Sequence, residues 1–185
     1  MIEIGEKEAE LLTIIEGKKY QALAGIVQSF DSVAFLAQTF IETKNKTIQK
    51  FVLDTIFYWY NEKAKEMPPN INEALYQLLF TTCIERYQSY EKEIQYCISR
   101  AQVACSFLNY PSNNAELWQM MFGFGEVILD PFLVVFGKES SIYSAERLEI
   151  FATVKAAMRE QEVLPAIIKH VFDIFATNPT MALFI

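Results

Sequence analysis

The sequence predicts an all-α fold, a multi-helix bundle of about seven to nine helices. Apolar residues recur at helical spacing in six stretches, and short turns rich in Gly, Pro, Asn and Ser separate them. No β-hairpin turn and no sustained two-residue alternation occurs along the chain. A short HEAT-like stack of helix pairs is the alternative architecture, because degenerate repeats of that kind leave little trace in a sequence.

The length and composition favour one domain over residues 1–185. A chain of 185 residues can bury one sizeable core without disulfides or metals. Hydrophobic residues make up 52% of it, and its charged share of 21% lies below the roughly 25% of an average soluble domain. We therefore expect part of the apolar excess to face a partner.

The first predicted helix covers about residues 6–16, and Gly17 is placed to end it in a left-handed cap. A second helical region begins near Lys18. The segment 29–32, Ser-Phe-Asp-Ser, interrupts it before the apolar pattern resumes at Phe35. The pattern is compatible with one bent helix or with two helices.

The clearest helix runs from about Thr47 to Lys65. Two apolar rows leave it only a narrow polar stripe, so it needs neighbours on most sides. The segment 67–70, Met-Pro-Pro-Asn, ends it, because proline supplies no amide and pushes the preceding residue out of helical geometry. Asn70 and Glu73 resemble a capping box that opens the next helix.

Further helices follow this one. The junction near Ser89 is either continuous or a hairpin. The helix after it carries seven apolar residues on one face: Ile94, Cys97, Ile98, Ala101, Ala104, Cys105 and Leu108. A break at 110–113 precedes another helix, and two more are predicted at about 143–161 and 164–175.

The net charge of −7 argues against nucleic acid as a partner, because a phosphate backbone would be repelled. One segment is locally basic, and its lysines are more typical of a solvated helix face than of an anion-binding patch: Lys44, Lys46, Lys50, Lys63 and Lys65. Residues 103–137 contain no Lys or Arg.

Cysteine usage predicts a reducing compartment. The three cysteines are odd in number, and no secretory signal pattern opens the sequence, so we expect an intracellular, cytoplasmic protein. Cys97 and Cys105 lie about 12 Å apart along one predicted helix, too far for a disulfide. Free, buried thiols are the expectation for all three cysteines.

Residues 117–137 are long enough to cross a bilayer as a helix. Glu126 and Asp130 near its middle would each cost about 2.5–3.5 kcal/mol in lipid, and Pro131 would leave backbone groups unsatisfied. Residues 20–41 are also nearly uncharged, yet glutamines, serines and Asp31 are spread through them. Membrane spans are therefore disfavoured, and conditional insertion stays an alternative.

The sequence carries little that could support a reaction. A single histidine, His170, lies one helical turn from Asp173, which is typical of a surface ion pair and excludes motifs that need two histidines. Glu126 and Asp130 could bind a cation together, but Asp130 is equally plausible as a turn residue. There is no phosphate-binding glycine loop and no nucleophile elbow. We predict no enzyme activity, no cofactor and no metal.

Two aromatic and methionine clusters are the candidate binding residues. Four consecutive aromatics must point around most of a helix, and a similar cluster follows sixty residues later: Phe57, Tyr58, Trp59 and Tyr60, then Trp118, Met120, Met121 and Phe122. Core packing is the competing interpretation for most of them.

These observations predict a non-catalytic protein-interaction module, acting as a complex subunit, adaptor or inhibitor and binding a protein partner or a second copy of itself. A bundle that encloses an apolar small molecule in a cavity lined by Phe57, Trp118, Met121 and Phe124 is the alternative. Conditional membrane insertion is the third hypothesis.

Overall fold

The computed structural model describes residues 2–108 and a set of helical positions further along the chain: Leu148, Glu149, Ala152, Thr153, Ala156, Arg159, Pro165, Ile168, Lys169, Phe172, Asp173 and Ala176. All regular structure in this described part is helical, and no strand occurs in it, which confirms the predicted all-α class. The backbone divides into two compact units, Met1–Gln102 and Val103–Ile185. The expectation of one domain over the whole chain stays a prediction.

Six helices lie within residues 2–108. The first four are α1 (Ile2–Glu16), α2 (Tyr20–Gln28), α3 (Val33–Glu42) and α4 (Lys46–Glu62). Helix α5 covers residues 69–85 and consists of Pro69–Gln77, a π-helical segment Leu78–Thr82 and a last turn Cys83–Glu85. Helix α6 is Lys92–Leu108. Short 3-10 turns at Phe30–Ser32, Ala64–Glu66 and Tyr87–Ser89 connect them.

Helix α4 is the centre of the first unit, as its two apolar rows predict. Helices α1 and α3 both pack against it. Six of its apolar side chains are among the least exposed in the described chain, with 0–1% of their surface accessible: Ile48, Val52, Leu53, Ile56, Trp59 and Tyr60. Asn45 begins the helix and accepts hydrogen bonds from the backbone amides of Thr47 and Ile48, which satisfies two of the free N–H groups at its start.

The interruption near residue 29 produces two helices. Ser29 Oγ accepts the backbone N–H of Asp31 and starts the 3-10 turn that separates α2 from α3. The axes of 21–28 and 30–42 differ by 85°. In the described residues no single helix is long and apolar enough to cross a membrane, while these two bent segments pass that length and composition test only as a pair.

The junction near Ser89 is also a break, since the 3-10 turn there separates α5 from α6. Inside α5, Leu79 lies in the π-helical segment, and its carbonyl oxygen contacts α6. The Gln102 Nε2 amide donates to that oxygen at 2.9 Å, and Gln102 is fully buried. A buried amide group needs such a partner, so this bond fixes how α5 and α6 face each other within residues 69–102.

The start of α5 differs from the prediction of a capping box at Asn70 and Glu73. The helix begins at Pro69, Pro68 precedes it, and no side chain caps it. Proline suits a first helical position because its ring presets φ and it has no amide to satisfy. Glu73 instead accepts a hydrogen bond at 3.0 Å from Gln77 Nε2.

The end of α1 was also predicted wrongly in one detail. The left-handed residue is Lys18, with φ 48°, and not Gly17. The Lys19 amide donates to Ile14 O at 3.1 Å, which closes a Schellman-type end. Gly17 is needed for space, because a Cβ there would lie 2.7 Å from the carbonyl oxygen of Thr13.

Ion pairs at the solvent surface connect α4 with the start of α6. Lys46 pairs with Glu91 at 2.5 Å, and Lys50 pairs with Glu93. The hydrogen bond and charge of Glu93 raise the pKa of Lys50. Because these side chains are about half exposed or more, their contribution to stability is small.

The turn after α1 gives a pair of substitutions with opposite expected effects. We expect Lys18→Gly to stabilise the fold by about 1 kcal/mol, because glycine adopts the left-handed conformation without steric cost. Gly17→Ala should destabilise it by about 1 kcal/mol or more, because the added methyl group meets a backbone oxygen. Urea denaturation of the full chain measures the free energy of unfolding of both variants. Equal effects of the two changes would contradict the assignment of the left-handed conformation to Lys18.

The thiols give a second prediction. Cys83, Cys97 and Cys105 are free and buried, which confirms that part of the sequence interpretation. Burial raises the pKa of Cys83 from 9.0 to about 12. Its thiolate fraction at pH 8 should therefore fall about a thousandfold, and Ellman's reagent should label Cys83 at least that much more slowly in the folded than in the urea-unfolded chain. Rapid labelling of the folded protein would contradict this burial.

Candidate functional site

A surface groove lies between α3 and the first half of α5, and we call it the α3–α5 groove. It measures about 390 Å³ and is lined by Phe30, Asp31, Val33, Ala34, Ala37, Pro68, Asn70, Ile71 and Ala74. Ala34 and Ala74 are exposed on opposite walls, and Ala37 is half-buried. Three alanines leave the concavity open, because a larger residue at any of them would occupy it. The lining is apolar apart from Asp31 and Asn70.

Trp59 supports the wall formed by Phe30. The two ring centroids lie 5.5 Å apart, and the ring planes are tilted by 54°. The indole N–H of Trp59 donates to Val27 O at 2.5 Å, at the end of α2. Lys63 Nζ donates to the neighbouring Gln28 O at 2.9 Å. These bonds satisfy the last carbonyls of α2 and hold the turn that carries Phe30.

Tyr60 supports the opposite wall. Its hydroxyl donates to Asn72 Oδ1 at 3.1 Å, in the first half of α5. The same hydroxyl lies 3.4 Å from Asn72 O. Two adjacent residues of α4 therefore support the two walls of the groove. Trp59 contacts the end of α2 and Phe30, and Tyr60 contacts α5.

Asp31 is the single charged residue among those that line the groove. Ser29 Oγ donates to its Oδ2 at 3.0 Å, and within the described residues its Oδ1 has no partner. Asp31 is exposed. A carboxylate accepts up to about four hydrogen bonds, so Asp31 can receive a cation or an N–H donor at the edge of an apolar surface.

The aromatic residues predicted to bind a partner fall into two groups. Trp59 and Tyr60 are fully buried. Phe57 and Tyr58 are half-buried, and the Arg100 guanidinium lies 4.4 Å from the centre of the Phe57 ring while also pairing with Asp54. Trp59 and Tyr60 are not among the residues that line the groove, and they affect it by supporting its walls. A binding role for Phe57 and Tyr58 stays a prediction.

The other candidates lie outside the described residues. These are the second binding cluster, Trp118, Met120, Met121 and Phe122, together with Phe124, the carboxylate pair Glu126 and Asp130, and His170. Asp173 is described and lies at an exposed helical position. Within the described residues no three His, Cys, Asp or Glu side chains converge as metal ligands do.

A second concave surface of about 360 Å³ lies between the end of α3, the start of α4 and the turn after α5. Its lining is mixed in charge and largely satisfied within the chain: Lys46 pairs with Glu91, and Arg86 Nη1 donates to Ile41 O at 3.0 Å. Burial raises the pKa of Tyr90 there to about 12. This surface therefore combines an aromatic contact between Phe40 and Tyr90 with charges of both signs.

No protein-family model matches the chain, and neither the search of curated proteins nor that of solved structures found a match. The α3–α5 groove was not predicted from the sequence, although both segments that border it were recognised as helix breaks. Its chemistry is that of recognition: it can take an apolar side chain and pair a neighbouring donor with Asp31.

The supporting role of the two buried aromatics can be measured. We expect Trp59→Phe to cost about 1–3 kcal/mol of folding free energy, because Val27 O loses its buried donor, and Tyr60→Phe to cost about 0.5–1.5 kcal/mol. Native-state hydrogen exchange should show faster exchange at the end of α2 in the first variant and at the start of α5 in the second. If hydrogen exchange became faster to the same extent across α1 to α6 in both variants, Trp59 and Tyr60 would not support the two walls separately.

Proposed function

We propose that this chain is a non-catalytic protein-interaction module that accepts an apolar side chain of its partner in the α3–α5 groove. The observation that carries the proposal is the groove itself, with its alanine-lined apolar surface and one exposed carboxylate at the edge. Interfaces that bind tightly commonly place a large apolar or aromatic anchor in such a recess, surrounded by a polar rim.

The packing behind the groove supports the same proposal. A partner's affinity falls when loops must be ordered during binding, and both walls here are already fixed by the buried side chains of Trp59 and Tyr60. The groove is therefore preorganised. Asp31 gives it a preference for partners that carry Lys, Arg or a backbone N–H beside the apolar anchor.

The volume also falls within the range of about 300–1,000 Å³ typical of small-molecule sites. A small apolar molecule is for that reason the second candidate. The groove is only partly enclosed. Small-molecule sites usually enclose most of their ligand, so we place the protein partner first.

For the whole chain, we propose a bundle of about seven to nine helices serving as an intracellular complex subunit. Support comes from the six helices within 2–108 and from the helical positions between 148 and 176. A HEAT-like stack of helix pairs is the architecture that competes with it.

Two exposed alanines in the groove and one outside it give a matched test. Ala34→Glu and Ala74→Glu place a charge in the groove, while Ala22→Glu makes the same change at an exposed position of α2. We expect the two groove variants to bind the partner at least about tenfold more weakly, roughly 1.4 kcal/mol, with unchanged folding.

Affinity purification of the full chain from its native host, followed by quantitative mass spectrometry, measures how much partner each variant retains. The supporting result is a protein that the wild type and Ala22→Glu retain and that both groove variants lose. Identical protein sets for all four chains would contradict the proposal. Identical sets together with loss of binding of an apolar fluorescent dye in the groove variants would favour the small-molecule candidate.

A further inference from the structure

The described chain also presents a surface that could enter such a groove. Ile168 and Phe172 are 47% and 67% exposed, and they are the exposed large apolar side chains of the described part. Both positions are helical and lie four residues apart, a spacing that makes side chains neighbours on one helix face. The pair forms a small apolar ridge.

A cation lies beside this ridge. Lys169 is helical and exposed. On a helix of 3.6 residues per turn it is displaced by about 60° from Phe172, whereas Asp173, also exposed, is displaced by about 100°. Of these two described charges, the positive one therefore lies nearer to the ridge. We call Ile168, Phe172 and Lys169 the ridge face.

The ridge face and the α3–α5 groove match each other in volume and are opposite in charge. An apolar cavity of about 150 Å³ accommodates a benzene ring, so a groove of about 390 Å³ has room for a phenyl ring and a branched aliphatic side chain. The single charge of the groove is the carboxylate of Asp31, and the charge beside the ridge is the ammonium of Lys169.

We infer that the occupant of the α3–α5 groove is a second copy of this chain, which inserts Ile168 and Phe172 and pairs Lys169 with Asp31. The inference rests on the proposed function and names its partner. Because the groove and the ridge face are different surfaces, the contact is heterologous, and each copy donates one ridge face and accepts another. Such contacts build closed rings or open chains, according to the rotation between successive copies.

Charge reversal separates this contact from other modes of association. In Asp31→Lys and in Lys169→Asp, every groove meets a ridge face of like charge, so each variant alone should self-associate at least about tenfold more weakly than the wild type. An equimolar mixture of the two variants restores opposite charges at every contact. We expect the mixture, and the double variant, to recover wild-type assembly.

Sedimentation velocity over a range of concentrations, with the full-length chain, reports the assembly. Lys44→Asp serves as the control for Lys169→Asp, because it makes the same charge change at an exposed position outside the groove and the ridge face. It should leave assembly unchanged. The rescue by mixing does not depend on either variant keeping its full stability, provided that each is folded by circular dichroism.

Two results would overturn the inference. One is a wild-type chain that stays monomeric at every concentration, and the other is a mixture that assembles no better than its components. If the groove variants nevertheless lose a host protein in affinity purification, the proposed function stands with a different partner. If they change neither self-association nor host capture, the proposed function fails as well.

Discussion

The burial of Trp59 in α4 is the constraint on which the surrounding structure depends. A buried indole needs a partner for its N–H, and here the partner is the carbonyl of Val27 at the end of α2. That bond joins the end of α2 to α4, next to the turn that Ser29 starts. The ring of Phe30 then packs on the indole, and α3 leaves the turn at a steep angle to α2. One wall of the groove is the result.

The same rule of polar satisfaction shapes the rest of the first unit. The Tyr60 hydroxyl joins α4 to α5 by its hydrogen bond to Asn72. The Gln102 amide joins α6 to α5 by its hydrogen bond to the carbonyl of Leu79, in the π-helical segment. Tyr87 and Ser99 share a buried hydroxyl contact at 3.2 Å between the turn after α5 and α6. Each bond joins segments that apolar packing alone would leave free to slide, because dispersion and hydrophobic burial have little directional preference.

The described thiols and most of the described charges around α4 are engaged within the fold. The thiols are buried, and the pKa values of Cys83 and Cys97 are raised by that burial, which makes them poor nucleophiles. Most side-chain charges around α4 are engaged with each other at the surface, as Lys50 is with Glu93 and Arg100 with Asp54. The α3–α5 groove differs from them, since its one carboxylate borders an apolar recess. In the proposed function this recess takes an apolar side chain, and the carboxylate of Asp31 pairs with a donor beside it.

The sequence by itself determined the helical class, the apolar centre in α4 and the break near residue 68, because periodicity and proline chemistry act over a few residues. Near residue 29 it allowed one bent helix or two helices, and the tertiary structure has two. The sequence did not determine which of the four aromatics would be buried, since α4 is apolar on nearly every side. The tertiary structure decided that, together with the left-handed Lys18 and the start of α5 at Pro69. It also created the groove, whose walls are held by contacts between residues far apart in the chain, as in Phe30 with Trp59. No local pattern encodes such a contact, because it depends on the packing of the whole unit around α4.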